Sequence, residues 1–170
     1  MSNICYMKYQ QDINRAHDKK KVYNDFLKDL RQKKPKDLDD KFHRLHDEVF
    51  EEINCLECAN CCKTTSPIIL MSDIEKLAKV LKMKSSEIIE TYLKIDDEGD
   101  YVFKSAPCPF LGMDNKCLVY KNRPKACREY PHTNRKNMYQ IMSLTAKNTL
   151  ICPAVSRIIE KLHNHDLNRN

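Results

Sequence analysis

The sequence predicts a mainly helical α+β protein with an N-terminal helical hairpin, a small irregular cysteine-rich core and a short β hairpin. Three observations predict this fold class. Apolar residues recur about every 3.5 positions in the first third of the chain, short apolar runs follow in the middle, and eight of the nine cysteines lie between residues 55 and 152. A length of 170 residues suits one domain with an extension.

Residues 1–54 are expected to form the N-terminal helical extension. The first apolar stripe comprises Tyr9, Ile13, Ala16, Tyr23, Leu27 and Leu30, and Pro35 ends that helix. The second stripe comprises Leu38, Phe42, Leu45, Val49 and Ile53. Residues 19–36 carry a net charge of +6 and residues 37–52 a net charge of −5. The basic run is therefore either a solvated face or the partner of the acidic helix in an antiparallel pair.

Residues 55–153 are expected to form a cysteine-cluster domain, with residues 154–170 as a C-terminal helix and tail. Ser72 and Glu75 have the spacing of a capping box at the start of a helix. Ser85 or Ser86 opens another helix, which carries Leu93 and is terminated by residues 96–99. Short strands are predicted at 102–103, 110–111 and 118–120, with a turn at 113–116. Pro153 stands at a favoured first position of the last helix.

Composition excludes several classes of protein. With only Gly99 and Gly112, the chain has no P-loop, dinucleotide fingerprint or nucleophile elbow, each of which needs several glycines. No apolar run approaches the roughly 20 residues of a membrane helix, and no secretory signal is visible at the N-terminus. We therefore expect a cytoplasmic protein without membrane contact, in whose reducing compartment clustered thiols indicate metal ligands or redox groups.

The cysteine spacing is the most informative pattern in the chain. Eight candidate metal ligands follow one another as Cys55, Cys58, Cys61, Cys62, Cys108, Cys117, Cys127 and Cys152. Two thiolates separated by two residues can reach one ion, as in structural zinc sites, and similar spacings hold iron–sulfur clusters. Adjacent side chains diverge, so Cys61 or Cys62 is expected to serve a second site, bridge two metals or stay free. Cys5, far from the cluster, is interpreted as a free thiol.

The ordered motifs around these cysteines resemble the YkgJ-type cysteine-cluster family. They are Cys55-x2-Cys58-x2-Cys61-Cys62, Cys108-Pro109-Phe110-Leu111, Cys117-Leu118-Val119-Tyr120, Arg123-Pro124-x2-Cys127-Arg128-x-Tyr130-Pro131 and Cys152-Pro153. The resemblance implies a zinc- or iron-chelating domain over residues 55–153. Flagellin lysine methylases carry a similar cluster, which keeps an enzymatic role open. His132 and the basic-then-acidic extension depart from the family pattern.

Two arginines beside the cluster are candidates for tuning its charge. Arg123 and Arg128 flank Cys127, and a guanidinium keeps its charge at any working pH while donating several hydrogen bonds. We expect them to offset the negative charge of a thiolate site. The basic residues around them show no helical recognition face, so no nucleic-acid partner is expected.

The function predicted from the sequence is metal binding, with zinc or iron as cofactor and iron present either as an ion or as an iron–sulfur cluster. One hypothesis is a metal-stabilised module for metal handling or for interaction with a protein partner. The other is an iron–sulfur-dependent enzyme, or an accessory of a protein-modification reaction of the methylase type. The sequence leaves the metal and the grouping of the cysteines open.

Overall fold

The computed structural model describes the backbone of residues 2–167 and the side chains of residues 9–167. The helices are α1 (Ser2–Asp18), α2 (Lys20–Lys33), α3 (Leu38–Glu52), α4 (Cys55–Cys58), α5 (Asn60–Thr64), α6 (Met71–Leu81), α7 (Ser85–Tyr92), α8 (Lys125–Glu129), α9 (Met142–Thr149) and α10 (Pro153–Leu167). The strands are β1 (Leu93–Ile95) and β2 (Tyr101–Phe103), and 3-10 turns cover Tyr120–Asn122 and Met138–Ile141. Within these described residues, no helix combines the length and apolar character needed to cross a membrane. The mainly helical α+β class with an antiparallel hairpin is confirmed.

The chain divides into two compact units. The first unit contains residues 1–58 and 131–170, and the second contains residues 59–130. The division falls inside the cysteine motif, between Cys58 and Ala59. Cysteines near one another in sequence therefore belong to different units.

The first unit is a bundle in which α3 and α1 pack on α10, while α2 packs on α9. Phe42 and Val49 of α3 and Ile158 of α10 are fully buried, as the apolar periodicity predicts. The acidic residues of α3 pair with α10, since Glu48 pairs with Lys161 and Arg157 Nη1 lies 3.0 Å from Glu52 Oε2. Glu48 and Glu52 therefore form their ion pairs with α10 and not with the basic run of α2.

The first unit differs from the sequence prediction at one break. A single long helix was predicted up to Pro35, but the helical run is interrupted at Lys19, where φ and ψ are −95° and 11°. The apolar stripe continues across this break, because Ala16 and Tyr23 are both buried. The burial pattern therefore follows the prediction although the helix is divided into α1 and α2.

The second unit has its own apolar core between α6, α7 and the hairpin. Ile74, Leu77 and Ile88 are fully buried and pack with Phe103 and Phe110. Strands β1 and β2 are antiparallel, with Leu93 opposite Phe103, Lys94 opposite Val102 and Ile95 opposite Tyr101. This core carries the loops on which the cysteines of the second unit lie.

Three local predictions in the second unit are wrong. Helix α6 begins at Met71, so the carboxylate of Asp73 accepts the Leu70 backbone N–H at 3.3 Å, and Ser72 with Glu75 is not the cap. Strand β2 pairs with Leu93–Ile95, which the helical periodicity assigned to the end of α7. The predicted strands at 110–111 and 118–120 are reduced to one bridge between Leu111 and Cys117, across the predicted turn.

Candidate metal centre

The cysteine motif is built as two short helices joined by a left-handed residue. Asn54 starts α4, because its side-chain oxygen accepts the Leu56 N–H at 3.0 Å and its carbonyl accepts the Cys58 N–H at 3.2 Å. Ala59 follows with φ and ψ of 46° and 19°, a conformation that costs a residue with a Cβ roughly 1–2 kcal/mol. The turn at Ala59 separates Cys55 and Cys58 on α4 from Cys61 and Cys62 on α5.

Four thiols of the second unit lie within electrostatic range of one another. The pKa of Cys127 is raised to about 12, mainly by burial and in addition by the neighbouring Cys62, Cys108 and Cys117. Burial likewise raises the pKa of Cys108 to about 11 and raises that of Cys117, with Cys62 adding to both. These cysteines come from positions 62 to 127, so the fold gathers thiols that are far apart in the chain.

Cys62 is the most acidic thiol of this group. Its pKa falls to about 7 because Cys61 donates a hydrogen bond to its sulfur, and because the cations of Arg123 and Lys63 lie nearby. Burial of Cys62 opposes these effects. Near neutral pH, the thiolate form is therefore most accessible at Cys62, with Cys61 as its hydrogen-bond donor.

Backbone contacts hold the sulfurs of the second unit in place. The Cys108 N–H donates to the Cys62 carbonyl at 2.8 Å, and the N–H groups of Phe110 and Val119 donate to the sulfurs of Cys108 and Cys117. Each donor lies two residues after the cysteine that it serves. Such hydrogen bonds lower the pKa of these thiols and stabilise negative charge on sulfur.

The turn between Cys108 and Cys117 leaves little space for a side chain at Gly112. The Gly112 N–H donates to the Lys116 carbonyl at 2.8 Å. A Cβ at Gly112 would lie 2.8 Å from Asp114 Oδ1 and 3.2 Å from the Lys116 carbonyl oxygen, closer than ordinary van der Waals contact. This tight turn returns the chain so that Cys117 pairs with Leu111.

Three thiols of the first unit form a second group. Cys152 is buried, and its pKa is raised to about 12, mainly by burial and to a smaller extent by Cys55 and Cys58. The N–H groups of Ala154 and Val155, at the start of α10, donate to the Cys152 sulfur and lower its pKa. Cys55 is exposed and Cys58 is half-buried. Cys5 lies outside the residues whose side chains are described.

The two predicted arginines occupy different environments. The Arg123 guanidinium lies 3.7 Å from the centroid of the Tyr120 ring, and its charge lowers the pKa values of Cys62, Cys117 and Cys127. Its Nε is buried and has no hydrogen-bond acceptor among the described residues. Arg128 is exposed and donates to the Arg123 carbonyl. Arg123 thus lies beside the sulfurs, and Arg128 contacts the loop that carries Arg123.

Sequence reasoning missed Asp73 as a positioning residue for this site. Its side chain is 1% exposed, and Oδ1 accepts the backbone N–H of Lys125 at 3.1 Å. Lys125 is the first residue of α8, the short helix that carries Cys127. An aspartate near a helix start predicts a cap, but only the tertiary fold shows that its other oxygen holds α8.

The donor chemistry of these groups fits a thiophilic metal. The N–H groups directed at the Cys108 and Cys117 sulfurs and the unpaired Arg123 Nε favour negative thiolates, whereas burial alone favours neutral thiols and so leaves a charge that a bound cation would offset. In the part of the chain with described side chains, no three Cys, His, Asp or Glu residues are arranged to hold an ion as they stand. Metal binding at these cysteines requires loss of the thiol protons.

These features define a class of small helical proteins in which cysteines gathered around short loops chelate a metal. A family described as "Putative zinc- or iron-chelating domain", with the CxxCxxCC motif, matches residues 54–152. The chain belongs to this family, and the YkgJ-type resemblance is confirmed.

A curated relative adds no functional assignment. The chain is 30% identical over 83 residues to an uncharacterized protein of Methanocaldococcus jannaschii, covering 47% of this chain and 44% of that protein. The match thus spans less than half the length of the relative. No solved structure matches the chain.

Proposed function

We propose that this chain is a metal-stabilised cysteine-cluster module that binds zinc or iron at two sites, one in each unit. Cys62, Cys108, Cys117 and Cys127 would hold the metal of the second unit. Cys55, Cys58 and Cys152 would hold that of the first unit. The observation that carries this proposal is the convergence of four thiols, in which Cys62, Cys108 and Cys117 each raise the pKa of Cys127.

The chain's own residues have separable roles in this proposal. Cys62, which deprotonates most easily, would supply the first thiolate, and Cys61 would donate a hydrogen bond to it. The Phe110 and Val119 N–H groups and the Arg123 guanidinium would stabilise the remaining thiolates. A bound zinc or iron would supply the positive charge that cross-links these loops, and with it part of the folding free energy of the second unit.

The cellular role best supported by this arrangement is metal handling or interaction with a protein partner in the cytoplasm. Metal cross-links stabilise small folds whose loops bury little apolar surface. The segment from residue 104 to 124 contains a single bridge and one 3-10 turn as its regular structure. The shape of this segment would therefore depend on whether metal is bound. Binding or release of metal would thus change the surface that the segment offers to a partner.

A second candidate is an iron–sulfur-dependent enzyme or enzyme accessory. The observation that favours it is the group of three thiols in the first unit, with Cys55 exposed to solvent. Three protein ligands leave one coordination position for water or substrate, as catalytic metal sites do. A four-thiolate site is closed, so any chemistry would occur at the Cys55, Cys58 and Cys152 group.

The test is metal analysis of protein purified without oxygen, comparing the wild type with Cys127→Ser, Cys152→Ser and Cys5→Ser. We expect Cys127→Ser and Cys152→Ser each to lose the metal of one site and retain that of the other. Cys5→Ser is the matched control and should retain both. Colourless protein with stoichiometric zinc favours the module, and brown protein containing iron and labile sulfide favours the enzyme.

Two outcomes would overturn the proposal. One is wild-type protein that binds no metal when refolded anaerobically with zinc or with iron and sulfide. The other is a metal content of Cys127→Ser and Cys152→Ser equal to that of Cys5→Ser, which would mean that these thiols are not ligands.

A further inference from the structure

A basic groove lies within the first unit between α2 and α9, and it contains no cysteine. Its volume is about 380 Å³, and buried Leu27 and half-buried Leu150 contribute to an apolar floor. Four exposed cations line it, namely Lys20, Lys28, Arg31 and Lys147. Among the described residues that line the groove, none carries a carboxylate. The groove therefore concentrates positive charge on one concave surface.

These four cations lack a close counter-ion among the described side chains. None of them forms an ion pair with a carboxylate among the side chains that the structure describes, although nearby Lys33 lies 2.8 Å from Asp29 Oδ2. Arg31 Nη1 instead donates to Ser143 Oγ at 3.3 Å, which links the two walls. Like charges held along one groove repel each other, so an anionic ligand would gain from relieving that repulsion.

The spacing of the cations indicates an extended ligand. Lys20 and Arg31 are eleven residues apart on α2, which corresponds to about 16 Å at the helical rise. A single small anion contacts one end of such a row, whereas a linear polyanion can contact all of it. Helical walls satisfy their own backbone groups and offer no strand edge to an acidic peptide. A phosphodiester chain needs only cations at intervals and apolar surface for its sugars and bases.

We propose that this groove binds the backbone of single-stranded nucleic acid without sequence preference. The apolar floor suits the sugars and unpaired bases of a single strand, whereas a duplex keeps its bases stacked in its interior. The expectation of no nucleic-acid partner rests on the basic residues beside Cys127, which take no part in this groove. The proposal is independent of metal binding.

The test is fluorescence anisotropy with a labelled 12-nucleotide oligouridylate and the full-length, metal-loaded protein. The groove variant replaces Lys20, Lys28, Arg31 and Lys147 with Gln. The matched control replaces Lys76, Lys79, Lys82 and Lys94 with Gln, four exposed lysines of the second unit. Both variants change the net charge equally, so they separate binding in the groove from attraction to overall charge.

We expect four phosphate contacts, each lowering the logarithm of affinity by about 0.7 per decade of salt. Wild-type affinity should then fall about 50-fold between 50 and 200 mM salt. The groove variant should bind at least about 10-fold more weakly at 50 mM salt and show a shallower salt dependence, while the control stays within about twofold of the wild type.

Three results would overturn the proposal. The first is equal weakening in the groove variant and the control, which would indicate general charge attraction. The second is no binding by the wild type at 50 mM salt. The third is displacement of the oligonucleotide by oligoglutamate of equal charge at equal concentration, which would assign the groove to acidic peptides.

Discussion

Replacement of Asp73 by Ala is expected to destabilise the second unit by about 3 kcal/mol. The carboxylate is 1% exposed and accepts two backbone N–H groups, from Leu70 at 3.3 Å and from Lys125 at 3.1 Å. A hydrogen bond to a charged group contributes about 1.5–3 kcal/mol, and these two lengths place each near the lower end of that range. Asp73→Asn keeps one acceptor oxygen and should lose about half as much.

The assay combines urea unfolding with hydrogen exchange of the Lys125 amide. Exchange at this amide reports loss of the contact directly, because Asp73 is its acceptor. Asp97→Ala is the control, since Asp97 is an exposed carboxylate of the same unit. The reasoning is refuted if Asp73→Ala is no less stable than Asp97→Ala, or if Lys125 keeps its full protection in Asp73→Ala.

Three further predictions concern metal, pH and the helical bundle. Chelation of the bound metal should increase proteolysis of segment 104–130 and leave that of α3 and α10 unchanged, as followed by mass spectrometry; an unchanged pattern after verified metal loss would contradict this. Burial lowers the pKa of His46, so stability should be full above about pH 6.5 and should fall as pH decreases, because the unfolded chain takes up the proton first. Between pH 7.5 and 5.5 the urea midpoint of His46→Gln should decrease less than that of the wild type. An equal decrease in both would show that His46 does not cause the pH dependence. Phe42 is fully buried in α3, so Phe42→Ala should lower the free energy of unfolding, measured by thermal unfolding, by about 3–5 kcal/mol. Asp40→Ala, at an exposed position of the same helix, is the control, and an equal loss of stability in both variants would contradict this prediction.

Elements defined by local signals could be predicted from the sequence. Helix α10 starts at Pro153 as expected, because proline fits the first helical position, and its buried face contains Val155 and Ile158. The turn at 113–116 was predictable from its Asp-Asn pair. In these cases neighbouring residues determine the structure.

Elements determined by long-range contacts could not be predicted in this way. Leu93–Ile95 continues the apolar pattern of α7, and it becomes a strand because Tyr101–Phe103 pairs with it. The left-handed conformation of Ala59 contradicts the preference of alanine, so only the surrounding fold explains it. The candidate ligands were identifiable by residue type, but their grouping around Cys127 and Cys152 depends on tertiary structure.

The division of the cysteine motif at Ala59 has a consequence for synthesis on the ribosome. The second unit is one continuous segment, 59–130, so all four of its candidate ligands have been made once Cys127 leaves the ribosome. The candidate site of the first unit would need Cys152 and α10, which are translated after segment 59–130, to join Cys55 and Cys58. Because domains fold as units during translation, the inserted segment can acquire its metal while the N-terminal thiols still await their partner. In a nascent chain the second unit would thus bind metal before the first unit does, although Cys55 and Cys58 of the first unit are translated before any cysteine of the second.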